Sequence, residues 1–208
     1  MAKLASNFKN ILLCLLIISA TMAAVLGVVN HITKKPIEKA QADKDEAALK
    51  KVLNEYDRLE EIQFPLEGAA QTNIFKKEQK DTLLLYFAYK GNELIGCAVK
   101  TFSDKGFGGR IKLVVGFLPN GDIKKIEVLS HTETPGLGDK MEVGKSTFPE
   151  QFLGKNPANF KLTVSKDGGD VQAITAATIS SRAYCDAVES AYKSFMKLKE
   201  EKGEKSNE

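Results

Sequence analysis

The stretch ILLCLLIISATMAAVLGVV, Ile11 to Val29, contains no charged residue. An apolar run of about 20 residues wound as a helix spans the hydrocarbon core of a bilayer, where only a helix or a closed barrel can satisfy the backbone. Lys3 and Lys9 precede the run, and Lys34 and Lys35 follow it. The rival reading is a cleaved secretory signal, which ends in small residues at two positions separated by one. Ala20-Thr21-Met22 and Met22-Ala23-Ala24 each place Met at such a position, and the apolar run continues to Val29. The run therefore predicts a retained single-pass anchor over residues 10–30, behind a short tail at 1–9, with membrane lipid as its surroundings. Lysines on both flanks leave the orientation open to the charge rule, because long following domains translocate largely regardless of charge.

The remainder is long enough for one domain of ordinary size. Hydrophobic residues make up 43% of the 208, enough for a packed core, and 30 basic against 27 acidic residues are scattered along the chain. That spread gives no electrostatic footprint for nucleic acid. Cys14, Cys97 and Cys185 include no CxxC pair, and only two histidines accompany them, so the ligand set of a zinc or iron–sulfur site is missing. Cys97 and Cys185 lie in apolar patterns and are expected as buried free thiols; a disulfide between them is the alternative outside the cytoplasm.

Pro36 ends the juxtamembrane stretch. Beyond it Leu49, Val52, Leu53, Tyr56, Leu59 and Ile62 recur at helical spacing, which predicts an amphipathic helix within residues 31–63. The pattern then changes. Thr82 to Tyr89 and Glu93 to Phe102 read as strands joined by a Lys90-Gly91-Asn92 turn, and Ile111 to Leu118 alternates apolar residues before Pro119-Asn120-Gly121-Asp122 turns into IKKIEVLS. Four strands joined mainly by tight turns, with helices on either side, predict an antiparallel sheet in an α+β domain over residues 64–198. The last helix begins near Thr178 and carries the stripe Ile179, Ala183, Ala187, Ala191 and Phe195, widened by Tyr184 and Val188. The polar tail, 199–208, is expected to fray.

Two stretches carry chemistry. In ITAATISS, three hydroxyls, Thr175, Thr178 and Ser180, crowd around Ala176 and Ala177 where a helix begins. A helix N-terminus offers unpaired N–H groups and partial positive charge to a phosphate, and the alanines let a ligand approach the backbone. An ordinary N-cap by Thr175 or Thr178 is the alternative. The second stretch, SHTETPGLGDK, follows a strand directly: Pro135-Gly136 signals a tight turn, and His131, Glu133 and Thr134 offer polar groups on a loop held by the sheet. His131 has no second residue to mark it as a general base. SDKGFGGR, Ser103 to Arg110, lacks the spacing of a phosphate-binding fingerprint and reads as a flexible hairpin connection.

Together, HTETPGLGDK and ITAATISS on a singly anchored chain resemble the FMN-binding subunits of bacterial ion-pumping redox complexes. The likeness is greatest to the G subunit of the Rnf electron-transport complex; the C subunit of the sodium-translocating NADH:quinone reductase shares the flavin domain and is the alternative. The resemblance implies FMN attached covalently, through its phosphate, to the last Thr of a [Ser/Thr]-[Gly/Ala]-Ala-Thr motif. Here that motif is Thr175-Ala176-Ala177-Thr178, followed by Ile179. It further implies modification by a separate flavin transferase that uses FAD and a metal, and a flavin domain on the periplasmic side of the inner membrane. Glu133, Thr134, Pro135, Gly136 and Leu137 would line the flavin, with Leu137 against the ring and Thr134 in hydrogen-bonding range. The chain would then pass electrons between other subunits of the complex, with no independent catalytic site. Two positions depart from the usual motif: Gln172 stands where Asp is common, with Asp170 two residues earlier, and Ala176 replaces Gly. The non-redox reading is a membrane-anchored scaffold in which Thr178 only caps a helix.

Overall fold

The computed structural model describes residues 8–53, 56–65 and 82–205. The first seven residues and residues 206–208, parts of the expected tails, lie outside the described residues, as does the stretch 66–81 within the expected domain. The chain divides into two compact units, residues up to Asp45 and residues from Glu46 onward.

Helix α1, Phe8–Leu53, carries the apolar run and is long and apolar enough to cross a membrane. It does not stop at Pro36, which lies inside it. Proline has no N–H to donate to the carbonyl four residues back, but Lys34, Lys35, Glu38, Lys39 and Ala40 around it are good helix formers.

The helix ends at Leu53, before the expected boundary at Gln63. Arg58–Pro65 is strand β1, so Leu59 and Ile62 belong to a sheet and not to a helical stripe. Spacing alone could not separate the two, because Leu59 and Ile62, three residues apart as on a helix face, pack on opposite faces of the sheet, each against a core. What decides it is the free edge of the next strand, which pairs with β1 from Arg58↔Tyr89 to Pro65↔Thr82.

The other strands fall where the alternation puts them: β2 Thr82–Lys90, β3 Glu93–Ser103, β4 Ile111–Phe117 and β5 Ile123–Ser130. They form one antiparallel sheet in the order β1-β2-β3-β4-β5, a meander in which every strand neighbours the next. The register aligns Ile62, Leu85, Val99, Val115 and Ile126 as one apolar row across all five strands.

That row faces helix α2, Thr178–Lys205. Ala183, Ala187 and Ala191 are fully buried and let the helix lie close, while Phe195 stacks on Phe117 with ring centroids 5.3 Å apart. The Thr101 hydroxyl donates to the Ala187 carbonyl (2.9 Å) and fixes the helix on β3. The helix runs past the expected end at 198: Leu198 is buried and Lys199 Nζ donates to the Pro119 carbonyl (2.7 Å). Ile179, expected in the buried stripe, is instead 47% exposed.

The opposite sheet face is covered by the last turns of α1, where Ala48, Leu49, Val52 and Leu53 pack on Tyr86, Ala88, Ala98, Val114 and Leu129. A Cβ on Gly116 would lie 2.2 Å from Val52 Cγ1, so the glycine makes the seat for that helix end. Cys97 and Cys185 are both buried free thiols.

Candidate functional site

Helix α2 opens from a turn that is held on both sides. The Ala177 N–H donates to the Ile174 carbonyl (3.0 Å), and Ala176 has φ 62°, the one non-glycine residue with positive φ among the described residues. A positive φ at the third residue is the mark of a type II turn, where glycine is preferred because a Cβ crowds the backbone. Ser181, fully buried, staples this turn: its hydroxyl accepts from the Ile174 N–H (2.9 Å) and donates to the Ala177 carbonyl (3.0 Å).

The Ser181 N–H also reaches the Ala177 carbonyl (3.0 Å), which is the first rung of the helix ladder. Ala177 therefore occupies the cap position and Thr178 the first helical one. This goes against the alternative in which Thr175 or Thr178 caps the helix. Alanine offers no side-chain acceptor, so the N–H groups of Thr178, Ile179 and Ser180 have no acceptor among the described residues. The helix dipole concentrates positive potential on them. The Thr178 hydroxyl likewise makes no hydrogen bond to a described residue.

Facing this turn are two loops. Glu133 is buried, 5% exposed, and its Oε1 accepts the Gly108 N–H (3.0 Å) while its Oε2 accepts from the Ser180 hydroxyl. Thr132 Oγ1 donates to the Gly108 carbonyl (2.6 Å), so the residue 103–110 connection is packed onto the 131–138 loop and is not a loose hairpin. Its glycines are required there: a Cβ on Gly108 would stand 2.0 Å from the Thr132 carbonyl oxygen. Arg110 is occupied elsewhere, paired with Asp104 (2.6 Å) and lying over the Phe102 ring.

Behind Glu133 the loop is anchored by a polar chain. The Glu133 N–H donates to His131 Nδ1 (3.1 Å), so the neutral ring carries its proton on Nε2, which donates to Glu142 (2.6 Å). Lys145 bridges Glu142 (3.0 Å) and Asp139 (3.2 Å). Burial pushes both carboxyls up, but it is outweighed, at Asp139 by the Lys145 ammonium and the Gly136 backbone and at Glu142 by the His131 ring and Lys145, so both lie below the usual carboxylate range. His131 is thus a structural histidine. Burial pushes the Cys185 thiol up to about 12, which leaves it unreactive at neutral pH. Among the described residues no group of three or more His, Cys, Asp or Glu could hold a metal.

Between the turn and the loops lies a cleft of about 340 Å³, lined by Phe107, Glu133, Thr134, Leu137, Gly138 and residues Ala176 to Ser180. Seven of the sequence-predicted residues meet there: Glu133, Thr134, Leu137, Ala176, Ala177, Thr178 and Ile179. Thr175, Pro135 and Gly136 shape the adjoining turns without lining it. Phe107, Gly138 and Ser180 join the cleft from outside the predicted set. The repeated glycines flanking Phe107 signal close backbone packing in the sequence, and Ser180 stands there among the crowded hydroxyls; Gly138 carries no comparable signal of its role.

A profile described as "FMN-binding domain" matches residues 106–193, which takes in both loops, the turn and most of α2. The chain is 39% identical over 109 residues to the G subunit of the ion-translocating oxidoreductase complex of Shewanella baltica, covering 51% of each chain. Against the protein of the same name from Erwinia tasmaniensis it is 31% identical over 180 residues, covering 84% of this chain and 83% of that one. With the G subunit of the Na(+)-translocating ferredoxin:NAD(+) oxidoreductase complex of Acetobacterium woodii it shares 27% identity over 190 residues, 89% of this chain and 90% of the other. The aligned stretch spans about half to three-fifths of the length of the Shewanella relatives, 51%, 62% and 50%. On the breadth of the Erwinia match, with the FMN-binding domain falling on the cleft, the chain belongs to the family formed by the G subunits of ion-translocating oxidoreductase complexes.

Proposed function

We propose that this membrane-anchored chain is the electron-transfer subunit of an Rnf-type ion-translocating complex and carries FMN esterified through its phosphate to Thr178. The observation that carries the reading is the first turn of α2, which presents three N–H groups without acceptors and the Thr178 hydroxyl to one cleft. That set fits a phosphate, and Ala176 and Ala177 leave room for it. Around the same cleft Phe107, Leu137 and Ile179 are 69%, 39% and 47% exposed, a cluster of apolar side chains suited to a flat apolar ring.

FMN, when bound, supplies the electron chemistry. The chain's own residues do the rest. Thr178 fixes the phosphate end, the α2 N–H groups neutralise its charge, and Phe107, Leu137 and Ile179 exclude water from the ring. Thr134, exposed at the rim, is free to hydrogen-bond a polar ring edge.

Loading requires a flavin transferase, to which the chain offers the 172–178 segment. Gln172, where the motif usually has Asp, is exposed and has its backbone fixed by Gln151, through the Gln172 N–H (2.8 Å) and carbonyl (3.1 Å). The other subunits of the complex are the redox partners, and the flavin domain is on the periplasmic side. The names of the relatives favour this reading over the quinone-reductase C subunit. Thr178 at the first helical position, with no capping bond, weighs against the scaffold reading.

The test is purification of the full chain from membranes after production with a flavin transferase. A flavin fluorescence band that survives denaturing electrophoresis, together with partner subunits retained under mild detergent, is the expected result. A colourless chain that purifies alone would contradict it.

A further inference from the structure

Glu133 sits at the cleft with its side chain buried, yet no cation among the described residues pairs with it. Its two carboxylate oxygens instead accept from neutral donors on opposite sides: the Gly108 N–H (3.0 Å) and the Ser180 hydroxyl. One side chain thereby joins the glycine-rich loop to the first turn of α2. The surroundings are cut to fit it. A Cβ on Gly106 would lie 2.6 Å from its Oε1, and a Cβ on Gly138 would lie 2.8 Å from its Oε2 and 2.7 Å from Ser180 Oγ. Its N–H is held by His131 (3.1 Å), so neither backbone nor side chain is free to turn away.

A buried negative charge without a counter-ion is costly and is kept where it does something. It also acts on whatever shares its cleft, because a charge that is itself only 5% exposed is screened less than one in open water. An electron arriving beside it is repelled. We propose that Glu133 is a positioning residue that also acts through its charge. It latches the Gly106–Gly109 loop to the α2 N-terminus and lowers the reduction potential of the group held in the cleft. This rests on the flavin reading given above.

The experiment compares the full detergent-solubilised chain with Glu133→Gln and Glu133→Ala, each made with and without the transferase. Glutamine keeps both bonds, its carbonyl accepting from Gly108 and its amide donating to Ser180 Oγ, but removes the charge. In loaded protein Glu133→Gln raises the midpoint potential, on the order of tenfold in the reduction equilibrium, about 30 mV for a two-electron couple. In unloaded protein Glu133→Ala speeds hydrogen exchange at the Gly108 amide by about tenfold or more, while Glu133→Gln leaves it near wild type. An unchanged potential in Glu133→Gln overturns the electrostatic half, and unchanged Gly108 exchange in Glu133→Ala overturns the latch. If the wild-type chain takes up no flavin, the flavin reading and the electrostatic half fall together, and exchange in the unloaded chain still decides the latch.

Discussion

On one side of the cleft, residues 106–108 and 131–145 satisfy one another: Gly108 bonds Glu133 and Thr132, Glu133 bonds His131, and His131 leads through Glu142 to Lys145. On the other side, the α2 turn is just as firmly held from behind by Ser181, yet its forward-facing N–H groups and the Thr178 hydroxyl meet no partner among the described residues. A protein rarely leaves such groups idle when it can pair them. The polar groups named on the first wall are held by one another and by Ser180 across the cleft; the helix end on the second wall is finished only by a ligand.

Substitutions on the two walls should therefore differ in kind. Gly108→Val drives a side chain into the Thr132 carbonyl oxygen, 2.0 Å from the first added atom, and is expected to cost about 3 kcal/mol in urea denaturation of the solubilised chain. Next comes His131→Leu, which strands the Glu133 N–H and leaves Glu142 with Lys145 alone; its expected cost is about 2 kcal/mol by the same measurement. On the second wall Ala176→Gly relieves a positive φ and should raise stability by about 0.5–1 kcal/mol. Smallest of all, Thr178→Val should leave the unloaded chain within about 0.5 kcal/mol of wild type, because the hydroxyl has no partner among the described residues. A large loss in Thr178→Val would show that the second wall is scaffold too, and the contrast would collapse.

The same contrast explains what could be read in advance. Strands β2 to β5 were legible because apolar alternation and the Gly91 and Gly121 turns are local signals. Thr178 and its alanines were legible because small residues before a helix stripe point to an open N-terminus. Strand β1 was not, since Leu59 and Ile62 fit a helical spacing as well as a strand and only pairing with β2 separates them. The packed loop at Gly106–Gly109 was missed for a related reason. What its glycines make room for, the Thr132 and Glu133 backbone and carboxylate, lies more than twenty residues away in the chain. Ser180 hid as one hydroxyl among three until Glu133 was placed against it.

The most direct test of the central claim is the mass of the peptide containing Thr178, from membrane-purified chain made with and without an active flavin transferase. The expected result is the mass of FMN less one water on that peptide, present only with the transferase and absent in Thr178→Val. An unmodified Thr178 in chain made beside an active transferase would contradict the account.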